Sequence, residues 1–159
     1  MLKKIKWILL GLAAILIIIG TYVVSLVRYA DTERIALNNY TASISAMERV
    51  VSVFSIHRFN GLESYIVANI EYVNGQEFYF FVRDGEVQHL FLISDLINEA
   101  QADLIAQNLI QDGEIIKTQL GILEETPIFE VQIEYDGDVH YIVIDAETSE
   151  IILNFIPSI

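Results

Sequence analysis

The chain has 159 residues, 53% of them hydrophobic and 19% charged, with a formal net charge of −13. That length allows one or two small domains and nothing larger. There is no cysteine, which excludes a disulfide framework, a thiolate metal site and a cysteine nucleophile. The acidity argues against nucleic acid, whose phosphates need a basic surface.

The charge is unevenly spread. Lys3, Lys4, Lys6 and Arg28 flank an apolar stretch, while from Asp31 onward five Arg and Lys stand against all 22 Asp and Glu, a balance of −17. A solvated acidic surface is the expected result.

Trp7 to Val27 runs for 21 residues without a charge. A helix of that length spans about 31 Å, matching a hydrocarbon core of roughly 30 Å. Trp7 and Tyr22 lie near its ends, where aromatic rings favour the interface. Three lysines precede the run and only Arg28 follows it closely. The positive-inside bias therefore predicts a cytoplasmic basic tail at 1–6, a transmembrane helix at 7–27 and an extracellular remainder on the cell membrane. The apolar run exceeds the core of a signal peptide and lacks a good small-x-small site after it, so an uncleaved anchor is expected.

Asp31 is the expected N-cap of the next helix. Leu37, Tyr40, Ile44, Met47 and Val51 recur at helical spacing and are its expected buried stripe. Strands are predicted at Val51 to Phe59, Ser64 to Val73, Glu77 to Arg83 and Glu86 to Ile93. Asn60-Gly61, Asn74-Gly75 and Asp84-Gly85 separate them, and each pair suits a tight hairpin turn. Asn98 with Gln101 predicts a capping box for a second helix. Its buried face is Ala102, Ile105, Ala106 and Leu109, with Gly113 as the expected C-terminal cap. Strands follow at Glu114 to Leu123, Ile128 to Tyr135, Val139 to Ile144 and Glu150 to Phe155. In the strand from Ile128, Phe129, Val131, Ile133 and Tyr135 alternate with polar residues.

The two halves repeat each other. Ile70-Glu71-Tyr72 recurs as Ile133-Glu134-Tyr135, and Tyr79 and Val82 match Tyr141 and Ile144 at a spacing of 62. An α+β fold follows, with two tandem units at 31–93 and 94–159, each a helix packed on an antiparallel meander. Units so small have marginal cores and are expected to pack together or share a sheet.

Chemistry is sparse. Serine and cysteine nucleophile motifs and phosphate-cradling glycine loops are missing. His57, His89 and His140 fall in separate strands with no ligand spacing. Asp136, Asp138, Asp145, Glu147 and Glu150 lie near turns but do not meet the EF-hand pattern. No catalytic residue, metal or cofactor is expected. Phe78, Tyr79, Phe80 and Phe81 form the candidate partner-binding run. Two of these rings should face a core, and the other two lie under a neighbouring unit or form an exposed patch.

The second half resembles a PepSY-type domain through Ile97-Asn98-Glu99-Ala100-Gln101-Ala102, Phe129-Glu130-Val131 and Ile144-Asp145-Ala146-Glu147-Thr148-Ser149-Glu150-Ile151. Ser149 stands where that pattern has glycine, which suggests a less strained turn. Over the whole chain, the lysine-rich start, single anchor and two units resemble the YpmB/TseB-like family of low-GC Gram-positive bacteria. The resemblance implies cystatin-like folds and a non-enzymatic role in cell wall elongation. The implied partner is a class B penicillin-binding protein or another wall-synthesis membrane protein. The alternatives are inhibition of an extracellular peptidase and a surface module responsive to divalent cations.

Overall fold

The structure, a computed structural model, describes the backbone of residues 2–157 and the side chains of residues 15–157. The chain divides into a helical unit up to Asn39 and a compact unit, Tyr40–Ile159. Helix α1 runs over Leu2–Ser45. It contains the one helix among the described residues that is long and apolar enough to cross a membrane. Within the expected 7–27 span, the side chains of 7–14 lie outside the described residues. From Ile15 to Val27 every residue is exposed, as expected for a segment whose solvent is lipid.

No helix begins at Asp31. The helix runs through it, and Asp31 instead pairs with Arg34 one turn on, 3.9 Å away at the exposed surface. Nothing between Val27 and Thr41 breaks a helix, and propagating an existing helix is far easier than nucleating another. The expected stripe is shorter than its spacing suggests. Ile44 is fully buried, Met47 lies in the turn after α1, and Val51 is 59% exposed on a strand.

Two four-stranded antiparallel sheets follow. The first contains β1 (Val50–Asn60), β2 (Ser64–Tyr72), β3 (Glu77–Arg83) and β4 (Glu86–Leu92), in that order. The second contains β5 (Glu114–Leu123), β6 (Thr126–Tyr135), β7 (Asp138–Asp145) and β8 (Ile151–Phe155). Between them lies α2 (Glu99–Leu109), whose capping box is formed as expected: Asn98 Oδ1 accepts from Gln101 N–H and Gln101 Oε1 from Asn98 N–H. Gly113 is not the cap, because α2 ends at Leu109. It is small for another reason: a Cβ there would collide with the Ile133 side chain.

The turns obey their chemistry unevenly. Asp84-Gly85 and Asp136-Gly137 have positive φ at both residues, the mirror-image turn that matches strand twist. At Asn74-Gly75 only the glycine does, and at Asn60-Gly61 neither does. Gly61 instead makes room for a ring, since a Cβ there would lie 2.7 Å from Phe59 Cε1. The β5–β6 turn is Glu124-Glu125, with φ of 48° and 73°. Two glutamates in the left-handed region carry no turn signal, and each costs about 1–2 kcal/mol relative to glycine.

Both faces of the first sheet are buried across β2 and β3. Ile66, Ala68, Ile70, Phe80 and Val82 share one face by register, and all are 3% exposed or less. Tyr65, Val67 and Phe81 on the other face join one continuous core with residues of the second half. That core contains Ala102 and Ala106 of α2 with Leu120, Phe129, Val131, Ile133, Ile142 and Ile144 of the second sheet. The two sheets therefore share one hydrophobic core inside a single compact unit.

Candidate interaction surfaces

The aromatic run lies in β3. Phe81 is 0% and Phe80 3% exposed, on opposite faces. Phe78 is half-buried and packs on Tyr72 with ring centroids 4.9 Å apart. Tyr79 is half-buried against the shared core, and burial, reinforced by Glu99 and Glu77, raises its pKa above 10.0. Phe81 and Tyr79 thus pack toward the shared core, while Phe80 and Phe78 pack on the opposite face of the first sheet. Tyr79 also lines a shallow cleft of about 390 Å³ with His57, Glu99, Lys117 and Thr118.

The junction between the sheets rests on β1 meeting β5. His57 Nε2 donates to the Leu120 carbonyl at 3.0 Å. The Phe59 ring lies where any Gly121 side chain would have to be. Glycine at 121 is required by that close approach rather than by its φ. His89 and His140 are elsewhere, and no group of three His, Cys, Asp or Glu among the described residues is placed to hold a metal.

Near the shared edge, a cleft of about 620 Å³ is lined by charged groups, among them Glu63, Arg83, Glu124 and Glu125. Glu63 accepts from the Tyr65 hydroxyl at 2.7 Å and from Arg83 Nη1. The guanidinium also lies 5.3 Å from the Tyr65 ring centroid. The Tyr65 bond and the Arg83 charge hold Glu63 below its usual 4.5, and the same Glu63 bond raises the Tyr65 phenol. The Arg83 charge is thus paired with Glu63 at the rim of the cleft.

The second sheet presents a different surface. By register, Gln132, Tyr141 and Phe155 share one row across β6, β7 and β8, with Glu130, Val143 and Leu153 beside it. Phe155 stacks on Tyr141 at 5.5 Å between centroids. Leu153 is 47% and Phe155 46% exposed, and every residue of β8 is exposed. β8 is also the sheet's outer strand. Sequence reading placed this strand within a residue but did not single out its surface. The signal available in the sequence is the uncharged, largely apolar run Ile151–Phe155, which follows Asp145, Glu147 and Glu150.

The segments quoted for the PepSY likeness meet in space. The Ile97 N–H donates to the Ala146 carbonyl at 2.8 Å, and Asp145 Oδ1 accepts from Glu147 and Thr148 N–H. Ser149, expected to relax its turn, has φ of 69°. The turn keeps its left-handed residue, so serine carries the strain that glycine would remove.

These features define an α+β protein with one apolar N-terminal helix and two similar meanders around a shared core. No protein-family model matches the chain, and no curated protein matches it by sequence. Among solved structures it resembles the YpmB protein from Bacillus subtilis, with a TM-score of 0.63 and 18% identity over 76% of this chain and 96% of that one. It also aligns with a Clostridium difficile 630 protein described as a lipoprotein, with a TM-score of 0.41 and 15% identity over 81% of this chain and 92% of the other. The first match bears out the YpmB/TseB-like resemblance at the level of the fold.

Proposed function

We propose that this chain is a non-enzymatic, membrane-tethered extracytoplasmic protein that binds and modulates a wall-synthesis enzyme. By its YpmB/TseB-like resemblance, that enzyme is a class B penicillin-binding protein acting in cell wall elongation. The carrying observation is a domain with the fold of the YpmB protein behind one helix long and apolar enough to cross a membrane. The lysines before that helix support a cytoplasmic N-terminus and an outward-facing domain. The PepSY-like segments, joined through Ile97 and Ala146, support a module that works by contact. An exposed apolar outer strand, β8, gives such contact a place.

Crosslinking in intact cells tests the proposal. A penicillin-binding protein, or another wall-synthesis membrane protein, is expected to be enriched over an unrelated protein on the same anchor. Equal recovery from both baits would refute the reading.

A further inference from the structure

Three observations converge on β8. The first is its edge. The strand lies at the end of its sheet, and among the described residues no strand neighbours its outer N–H and C=O groups. Native edges are normally guarded by charge, proline or distortion. Ile151–Phe155 contains no charged residue, and its only irregularity is a register shift opposite Val143 and Ile144.

The second is the repeat. Phe91 pairs with Tyr79 as Phe155 pairs with Tyr141. Phe91 packs on Phe81, 5.6 Å away, and against the shared core. Phe155 remains 46% exposed. In the second half the inner position of this face, Val143, is likewise buried in the shared core at 5% exposed, and it is the outer strand, with Leu153 and Phe155, that stays open.

The third is charge. From residue 94 to 159 there is one lysine against fourteen Asp and Glu. Asp145, Glu147 and Glu150 lead directly into β8. A second copy would bring the same negative field, whereas a basic segment would be attracted and guided into register.

We propose that β8 and the Tyr141–Leu153–Phe155 face take an extended segment of a partner protein as an added strand. That segment is apolar at alternate positions and flanked by lysine or arginine. Main-chain hydrogen bonds would give affinity, and alternate side chains would read the apolar face. The proposal shares with the functional reading only the use of a protein partner, and its test is independent of which protein that is.

The test uses the full chain in neutral detergent micelles and two synthetic peptides, KKVTVTVKK and EEVTVTVEE. Calorimetry is expected to show saturable binding of the lysine-flanked peptide, at least tenfold tighter than its glutamate-flanked counterpart. Amide exchange should slow within Ile151–Phe155. Leu153→Lys with Phe155→Lys should weaken binding at least tenfold, and Leu153→Thr should weaken it less while leaving the fold intact. Equal affinity for the two peptides would overturn the proposal, as would protection confined to another strand. Protection of β8 that rises with protein concentration alone would assign the edge to a second copy and overturn it too. Protection of β8 by neutral lipid nanodiscs without peptide would assign it to the membrane, with the same consequence.

Discussion

Phe91 and Phe155 stand at matching places in the last strand of each sheet, each paired with a tyrosine on the preceding strand. One packs, partly buried, against the shared core and the other is 46% exposed. The first meander is buried on both faces, with Phe80 and Val82 on one and Val67 and Phe81 on the other. The second buries Val131, Ile133, Ile142 and Ile144 in the core shared with α2, and leaves the outer part of its other face open. A repeated unit need not do a repeated job. Here the first meander is buried on both faces, and the second leaves its outer strand exposed.

The comparison depends on the joint between the sheets, so breaking that joint should have the largest effect. Phe59 is 2% exposed and fills the space over Gly121. Phe59→Ala is expected to cost about 3–5 kcal/mol, as large-to-small changes in cores do. Gly121→Ala drives a methyl group into the ring and should cost about 1–3 kcal/mol by overpacking. The double variant Phe59→Leu, Gly121→Ala should recover part of that loss. Urea denaturation measures all three. A Phe59→Ala midpoint equal to that of the parent would mean the sheets do not depend on this contact.

Truncating the matched rings sharpens the contrast directly. Phe91→Ala should cost about 3 kcal/mol, whereas Phe155→Ala should change stability by about 1 kcal/mol or less. Similar losses at both positions would show that the second face is covered in solution after all.

Much of this fold was legible in the sequence, for identifiable reasons. Strand alternation and three Asn-Gly or Asp-Gly pairs located β1 to β4 within about a residue or two. Asn98 and Gln101 announced the start of α2 because a capping box is a local device. The errors were of another kind. Asp31 resembled a helix start, but a cap is needed only where a helix does not already run through. Gly61, Gly113 and Gly121 are small because Phe59 or Ile133 approaches them from elsewhere in the chain, and long-range contacts leave no local signature. In the aromatic run the expectation of rings facing a core holds on both faces of the sheet, since Phe80 and Phe81 are both buried. The open face was harder to see, because its residues are ordinary and only their lack of cover distinguishes them.

The strained turns provide a test in the stabilising direction. Replacing Glu124-Glu125 by Asn-Gly places residues suited to positive φ at both positions and should add about 1–2 kcal/mol. Ser149→Gly should add about 0.5–1 kcal/mol, because φ of 69° suits glycine better even after its greater unfolded-state entropy is counted. Thermal midpoints check both, and a decrease at either site would show that the side chain makes a contact outweighing its backbone strain. Both changes lie away from the core, so neither should alter the different stabilities expected at Phe91 and Phe155.

The smallest expected effect is a pH dependence at the charged cleft. The Tyr65 hydroxyl, with Arg83 beside it, lowers the folded pKa of Glu63 from 4.5. A carboxyl group whose folded value is depressed contributes stability that is present above its unfolded value and lost as pH falls through the folded one. The Glu63→Gln variant should therefore differ most from the parent at neutral pH, and the two curves should converge as pH falls below the ordinary range for glutamate. Tyr65→Phe and Arg83→Gln should each reduce this slope, because the hydroxyl bond and the guanidinium both lower the Glu63 value. Because Glu63 is 55% exposed at the side chain, solvent screens its interaction with Arg83 and keeps the effect small. Urea midpoints measured from pH 3 to 7 decide the matter. Parallel curves for parent and Glu63→Gln would show that the network on this edge contributes geometry but no pH-dependent stability.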